Sequence, residues 1–223
     1  LRGSDEDREA AVAMLKEGAE EAGLGRRPLL RNTLIGALAL FPIPGLVLFR
    51  GQPLVQRIAQ RLAAVAAEVL VTTNRPEAYR FLGLPLIEDL LPGTGALGGL
   101  YTALTAAHYG AVAVVACDMP FANAQLLAYQ HSLLISSGAD LVIPRWTDKL
   151  EPFHTVYQRA ACLPHILAAL QAGKRRVDAW FEQVNLRYLE PVESRPFDPR
   201  GLAFWNVNTL EELAAAEEIS RQD

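Results

Sequence analysis

Apolar segments alternate with amphipathic ones along most of the chain, and this alternation predicts the elements of the fold. Residues 53–67 carry apolar side chains at helical spacing, whereas Ala111–Cys117 is apolar throughout, as in a strand buried on both faces. Helices are predicted at 53–67, 100–108, 123–137 and 165–172, and strands at 68–73, 84–87, 111–117 and 141–144. Such alternation predicts an α/β fold with a doubly wound parallel sheet.

The first fifty residues have a different pattern. Residues 5–22 are rich in Ala, Glu and Leu and predict a helix, and a basic cluster at 26–31 precedes the uncharged run 32–49. A basic flank before an apolar run is the layout of a membrane anchor. Pro42 and Pro44 interrupt the run, which favours the other reading, in which Leu34–Leu40 is the first, central strand of the sheet. We predict the strand and keep the anchor as the alternative.

Polar residues follow several of the predicted strands. Asn74, Asp89 and Asp118 each come where a strand ends, and the glycine-rich run at 94–99 lies at the same edge. Ligands of doubly wound sheets bind at the carboxyl ends of the strands. Glycine-rich backbone can approach a base or phosphate closely, although tight turns also need glycine. These residues are therefore predicted to share one rim of the sheet.

Asp118 is the strongest single candidate for chemistry on that rim. Mg²⁺ prefers hard oxygen ligands, usually one or two carboxylates together with substrate phosphates. The competing explanation is that Asp118 caps the helix that begins near Asn123. Asp89 taken alone is explained better as a turn residue than as a functional one.

Two clusters lie further along the chain. His154, in the segment Glu151-Pro-Phe-His, is either a catalytic base or a packed, hydrogen-bonded histidine. In the later segment Asn206-Val-Asn208-Thr, a capping box with a following glutamate explains Asn208 and its threonine neighbour. Capping does not explain Asn206.

The composition narrows the function classes. A chain of 223 residues with 51% apolar and 21% charged residues can bury a sizeable core, and its net charge of -4 gives no basic field for nucleic acid. Cys117 and Cys162 lie far apart, which excludes a disulfide scaffold or cysteine zinc ribbon. Only three of the 21 basic residues are lysines, and none lies between 17 and 148.

Together these motifs are more specific than any one of them. The segments FRGQPLVQRIAQRL, VLVTTNRPEAYRFLGLPLIEDLLPGTGALGGLYTAL, VVACDMPF, EPFHTVYQRAAC and FWNVNTLEELAAAE follow one another as in the molybdenum cofactor guanylyltransferase family of MobA-like nucleotidyltransferases, which residues 46–219 resemble. The resemblance implies a single Rossmann-like domain, with a mostly parallel sheet and flanking helices. It also implies a cytoplasmic enzyme that moves GMP from Mg-GTP to the phosphate of molybdopterin and releases pyrophosphate.

The same resemblance implies site residues and partners. Asp118 would bind Mg²⁺ and the nucleotide and support catalysis. The nucleotide would also contact Asn74, Asp89, Gly98 and Gly99, and the pterin and metal side would be lined by Glu151, His154, Asn206 and Asn208. The partners expected are the two small-molecule substrates, with molybdoenzymes or cofactor-insertion proteins as candidate protein partners.

The chain departs from the family at its start. The family opens with LAGGxSxRMGxDK, whose glycines wrap the triphosphate and whose Arg and Lys neutralise the leaving group, whereas this chain reads LIGALALFPIPGLVLF, with Arg50 as the nearest cation. Loss of preorganised charge on a phosphate predicts activity lowered by several orders of magnitude. Residues 8–40 also resemble, loosely, the tail and anchor of some bacterial Rieske subunits, but no CxH…CxxH pair follows.

Three hypotheses follow. The chain is a guanylyltransferase of reduced activity, a non-catalytic protein that binds GTP or a pterin, or a membrane-attached fusion in which residues 26–49 are an anchor. We divide it into a helical extension at 1–31 and a nucleotidyltransferase domain at 32–223. The sequence leaves the choice between GTP and CTP open.

Overall fold

The computed structural model describes residues 47–222 of the chain. Within this range the helices are α1 (Leu54–Ala63), α2 (Pro76–Tyr79), α3 (Gly95–Ala106), α4 (Ala124–Ser137), α5 (Arg159–Gln171), α6 (Pro191–Ser194) and α7 (Leu210–Gln222). The strands are β1 (Leu48–Phe49), β2 (Gln52–Pro53), β3 (Val71–Thr72), β4 (Leu86–Ile87), β5 (Ala111–Val115), β6 (Leu141–Trp146), β7 (Lys149–Leu150), β8 (His154–Gln158) and β9 (Leu186–Leu189). The predicted helix at 5–22, the strand Leu34–Leu40 and most of the alternative anchor lie outside the described residues.

The largest described sheet has five strands in which one long strand is reversed. β8 pairs antiparallel with β5 on one side and with β6 on the other, and β6 pairs in parallel with β9. β5, β6 and β9 therefore point the same way, and β7 closes a hairpin with β6. β3 and β4 form a separate parallel pair, and β1 and β2 form a hairpin. The expected α/β fold, with a multi-strand sheet and flanking helices, is confirmed.

Two predicted boundaries move for identifiable reasons. The strand predicted at 68–73 shortens to β3, because its partner β4 is only two residues long and pairs with Val71 and Thr72 alone. The helix predicted at 100–108 starts at Gly95, so most of the glycine-rich run is helix rather than loop. Strands β7, β8 and β9 were not predicted, because their residues were interpreted as chemistry or left unassigned.

The core lies between the main sheet and the helices α3, α4 and α5. Leu97, Leu141 and Ile166 are fully buried on these elements, as are the larger rings of Tyr157 and Trp180. This packing fixes the carboxyl ends of β5 and β6, where the candidate site lies. None of the helices in residues 47–222 combines the length and the apolar composition that a membrane span needs.

Candidate functional site

Asp118 lies in the turn that follows β5. The β5–β8 ladder ends where the Ala116 N–H donates to the Phe153 carbonyl at 3.1 Å. The backbone carbonyl of Asp118 then accepts a hydrogen bond from the Val207 N–H at 2.8 Å, and the Asn206 amide donates to Asp118 Oδ2 at 3.4 Å. Two segments that are about ninety residues apart in the sequence thus meet at one carboxylate. Such a meeting is expected of two motifs that belong to a single site.

The surroundings of Asp118 favour a ligand over a structural role. Burial raises the pKa of Asp118 to about 6, and the hydrogen bond from Asn206 opposes that rise. Oδ1 of Asp118 is buried and has no hydrogen-bond partner among the described residues. The capping explanation is wrong, because the Asn123 side chain caps α4 by accepting from the Leu126 N–H at 3.0 Å.

This donor set fits a hard divalent cation. A buried, unpartnered carboxylate oxygen lies beside the Asn206 amide, and Mg²⁺ takes such oxygens while keeping waters and substrate phosphates as its other ligands. In residues 47–222 no group of three or more His, Cys, Asp or Glu side chains could hold a metal ion. A cation at Asp118 would therefore depend on the substrates for most of its ligands.

Asn74 and Asp89 form a second polar pair on the rim. The Asn74 amide donates to Asp89 Oδ2 at 3.0 Å, and the Asp89 N–H donates back to Asn74 Oδ1 at 3.1 Å. They meet because β3 and β4 are parallel neighbours, so the loops after both strands emerge at one edge. Oδ1 of Asp89 is buried and has no partner in the described part of the chain. It remains available to a donor on a ligand.

Gly98 and Gly99 lie buried in the first turn and a half of α3. A Cβ added at Gly98 would overlap the Thr94 side chain, whose hydroxyl donates to the Leu91 carbonyl at 2.5 Å. The absence of a side chain at Gly98 thus lets the turn before α3 close tightly. Packing explains Gly98 without a ligand, and the predicted contact of both glycines with a base or ribose stays a prediction.

Glu151 lies at the same end of the β5–β8 ladder as Asp118. The β5–β8 register pairs Val115 with His154, and each acid lies three residues beyond its member of that pair, at the same end of the ladder. Burial raises the pKa of Glu151 to about 7, with Lys149 opposing the rise. The two half-buried carboxyl groups, Asp118 and Glu151, thus come from adjacent strand ends.

His154 is a buried, hydrogen-bonded ring at the start of β8. Its side chain is fully buried, its Nε2 accepts a hydrogen bond from the Asn123 N–H at 3.0 Å, and the Gln130 amide lies 3.3 Å from Nδ1. Burial lowers the pKa of His154 to about 4. Burial and the hydrogen bond from Asn123 fit the packed-histidine alternative, and the predicted place of His154 along the substrate side stays a prediction.

The predicted capping box at the start of α7 is confirmed. Glu212 Oε2 accepts from the Asn208 N–H at 2.6 Å and from the Thr209 N–H at 3.0 Å, and Thr209 Oγ1 accepts from the Glu212 N–H at 3.1 Å. The Asn208 backbone is thus fixed while Asn208 itself is exposed. Its predicted contact with substrate stays a prediction.

The sequence analysis missed a row of aromatic rings beside Asp118. Trp205 stacks on Phe121 with ring centroids 6.1 Å apart, and Phe121 meets Phe49 edge-on at 5.9 Å. Arg57 lies over the other side of this row, with its Cζ atom 5.2 Å from the Phe49 centroid. The positions of these rings in the sequence could have indicated them, because Phe121 and Trp205 flank the two motifs that hold Asp118 and Asn206.

Arg50 makes hydrogen bonds to α7. Its guanidinium donates to the Ser220 carbonyl at 2.6 Å and to the Ser220 hydroxyl at 3.3 Å, and its backbone N–H donates to Glu217 at 3.0 Å. The β1–β2 hairpin is thereby tied to α7. The cation nearest to the atypical N-terminal segment is therefore committed to a structural contact.

Comparison with known proteins agrees with this geometry. Residues 45–187 match the family described as MobA-like NTP transferase domain. The probable molybdenum cofactor guanylyltransferase of Peptoclostridium acidaminophilum is 32% identical over 175 residues, which cover 76% of this chain and 79% of that protein. The corresponding protein of Pelotomaculum thermopropionicum is 34% identical over 165 residues, covering 74% and 79%.

Solved structures show the same fold. Molybdopterin-guanine dinucleotide biosynthesis protein A from Archaeoglobus fulgidus superimposes with a TM-score of 0.71 at 26% identity, over 81% of this chain and 92% of that one. The 2-C-methyl-D-erythritol 4-phosphate cytidylyltransferase of Thermus thermophilus, at 18% identity, has a TM-score of 0.61 over 80% and 94% of the two chains. At that identity the second likeness concerns the fold alone.

Proposed function

The chain belongs to the MobA-like NTP transferase family, and from that premise we propose that it transfers GMP from GTP to the phosphate of molybdopterin. A phosphate oxygen of the pterin attacks the α-phosphorus of GTP and forms a new P–O–P bond. The bond between the α-phosphorus and its bridging oxygen breaks, and pyrophosphate leaves with the electron pair. Such a reaction needs in-line positioning and charge stabilisation more than covalent help from the protein.

The observation that carries this proposal is the clamp on Asp118. The Val207 N–H and the Asn206 amide hold its backbone and its carboxylate, and one carboxylate oxygen is left without a partner in residues 47–222. In this proposal Asp118, together with the amide oxygens of Asn206 and Asn208, would hold Mg²⁺. When bound, the ion supplies positive charge to the phosphate oxygens.

The other polar groups divide between the two substrates in this proposal. The Asn74–Asp89 pair supports nucleotide binding, because the unpartnered Asp89 oxygen can accept from the N–H groups of guanine. Glu151 and Asn208 are assigned to the pterin. We propose a cytoplasmic protein whose main partners are these small molecules, with molybdoenzymes or cofactor-insertion proteins downstream.

A second candidate function is binding of GTP or a pterin without catalysis. One sequence observation favours it: the segment LIGALALFPIPGLVLF has none of the Ser, Arg and Lys of the family's triphosphate loop. Loss of that charge lowers the transfer rate far more than it lowers binding through the rim residues. Retained GTP binding with no pyrophosphate release would select this candidate.

The third hypothesis, membrane attachment through 26–49, is tested separately. Cell fractionation compares the full chain with one that begins at Gly45. We expect both to appear equally in the supernatant, and sedimentation of the full chain alone with membranes would establish attachment.

Substitution of Asp118 tests the transferase proposal directly. Asp118→Asn keeps the size of the side chain but removes its charge, so pyrophosphate release from GTP and molybdopterin should fall at least about a hundredfold, in the range seen when one transition-state contact is lost. Asp148→Asn is the matched control, because Asp148 is exposed in the β6–β7 turn. Equal loss in both variants, or none in either, contradicts the assignment of Asp118.

A further inference from the structure

Three arginines on and before α1 form a cationic patch beside the candidate site. Arg57 and Arg61 are one helical turn apart on α1, and Arg50 precedes that helix in the β1–β2 hairpin. Neither Arg57 nor Arg61 has a carboxylate partner among the described residues. Like charges this close repel one another, so an anion that binds between them would relieve the repulsion.

A series of contacts connects the patch to the segment of Asp118. Arg61 Nη1 donates to the Ala122 carbonyl at 2.9 Å, four residues beyond Asp118. Arg57 covers the Phe49 ring, and Phe49 contacts Phe121, which stacks on Trp205 next to Asn206. The aromatic row thus runs from the arginines to the residue that touches the Asp118 carboxylate.

Arg57 is the member of the patch with spare donors. Its Nε is buried and has no hydrogen-bond partner within residues 47–222. A buried guanidinium N–H without an acceptor is costly unless a ligand satisfies it. Burial and the nearby Arg50 lower the pKa of Arg57, as expected of a cation with no counter-charge of its own.

We propose that Arg57, supported by Arg61, binds a phosphate group of a substrate. Arg binds phosphate through parallel N–H donors, and the adjacent rings of Phe121 and Trp205 offer flat apolar surface to the heterocycle that carries the phosphate. Two sources share this chemistry, the phosphate monoester of the pterin and the triphosphate of the nucleotide. The continuity of the row with Asn206 favours the pterin phosphate. The inference rests on the proposed transferase function.

The test compares Arg57→Gln and Arg57→Lys with Arg195→Gln in the full chain. Arg195 is exposed and lies outside this patch, so its substitution removes one positive charge elsewhere. With molybdopterin varied, Arg57→Gln should raise KM about tenfold or more, the size expected of one charged hydrogen bond. Arg57→Lys should recover part of the loss, since lysine keeps the charge but not the two-pronged geometry.

The substrate whose KM rises identifies the phosphate that Arg57 binds. A rise in KM for molybdopterin alone assigns the pterin phosphate, a rise for GTP alone assigns the triphosphate, and unchanged values for both overturn the proposal. If the wild-type protein releases no pyrophosphate, the transferase function fails on its own. Calorimetric titration with GTP and, separately, molybdopterin then tests Arg57, and equal affinity in wild type and Arg57→Gln for both compounds overturns the anion site. Circular dichroism melting confirms that each variant is folded.

Discussion

A buried neutral histidine affects stability at low pH, and His154 is such a residue. Its Nε2 accepts from the Asn123 N–H, and that bond is lost when the nitrogen gains a proton. The pKa of His154 lies at about 4 in the folded chain against an ordinary value of 6.5. Between these two pH values the unfolded chain binds the extra proton and the folded chain does not. Stability contributed by the neutral ring is therefore complete above the ordinary pKa and falls as the pH drops toward 4.

The first prediction at this scale concerns His154→Gln. Urea unfolding from pH 7 to pH 4 should show a loss of stability in the wild type that is smaller in His154→Gln, with a difference between the two curves on the order of 3 kcal/mol. Asp118 and Glu151 change stability in the opposite direction. Because their pKa values are raised in the folded chain, they lower its free energy of unfolding as the pH rises. They are present in both proteins, so the difference isolates His154. Parallel curves would show that the ring does not titrate in this range.

The individual site residues could be predicted from the sequence better than their contacts. Asp118 and Asn206 stand at strand and helix boundaries that the apolar pattern marks clearly. His154 was open to two interpretations, since only burial and the Asn123 contact distinguish a packed imidazole from a catalytic one. Arg57 and Trp205 were missed because their importance arises from ring and guanidinium contacts between distant segments.

At the scale of elements, the start of α3 depends on the absence of one methyl group. A Cβ at Gly98 would overlap the Thr94 side chain and lie 3.3 Å from the Leu91 carbonyl. The turn from the Asp89 loop into α3 packs through this contact, and the Thr102 hydroxyl adds a bond from the Leu90 N–H at 3.1 Å. The position of the Asp89 loop, which belongs to the proposed nucleotide site, is therefore coupled to the first turn of α3.

We predict that Gly98→Ala destabilises the protein by about 1–3 kcal/mol, the usual cost of overpacking. The double variant Thr94→Ala/Gly98→Ala should recover part of this loss, because the overlapping atoms are gone. Gly110→Ala serves as the control, since a Cβ there meets nothing within 4 Å. Thermal unfolding of the wild type, the single variants Gly98→Ala and Thr94→Ala, and the double variant gives the coupling, and purely additive effects would contradict a direct clash.

The alternation of elements could be predicted from the apolar pattern, but the direction of one strand could not. Ala111–Cys117 and 141–144 were recognised because both are continuous apolar runs. β8 contains His154 and Thr155, both fully buried, so its composition resembles a polar loop. Its reversal follows from the hairpin that β7 makes with β6, a pairing set by a turn with Thr147 and Asp148 at positive φ.

At the scale of the whole molecule, nucleotide binding should appear as a gain in thermal stability. The Asn74–Asp89 pair offers an unpartnered carboxylate oxygen to a base, and guanine presents N–H donors that cytosine lacks at the equivalent position. A ligand that binds only the folded chain raises its melting temperature, and the rise grows with the logarithm of the ligand concentration divided by Kd. The difference between the melting temperatures measured with GTP and with CTP therefore tests the choice between the two nucleotides, which the sequence leaves open.

We predict that Mg-GTP raises the melting temperature by several degrees at about a hundred times its Kd, and that Mg-CTP at the same concentration raises it less. Asp89→Asn should remove most of the difference between the two nucleotides, while Asp148→Asn should preserve it. Equal shifts for both nucleotides in the wild type would contradict guanine selection by this pair.

The reversed strand β8 also dictates when the sheet can be completed. β5 and β6 do not pair with each other; each bonds to β8, which comes after both in the chain. During synthesis there is therefore an interval in which β5 and β6 have emerged from the ribosome while their shared partner β8 has not. Their open edges are templates for wrong pairing during that interval. Synonymous codon changes that slow translation while β6 has emerged and β8 is still inside the ribosome should lower the yield of native protein, although the finished molecule is identical.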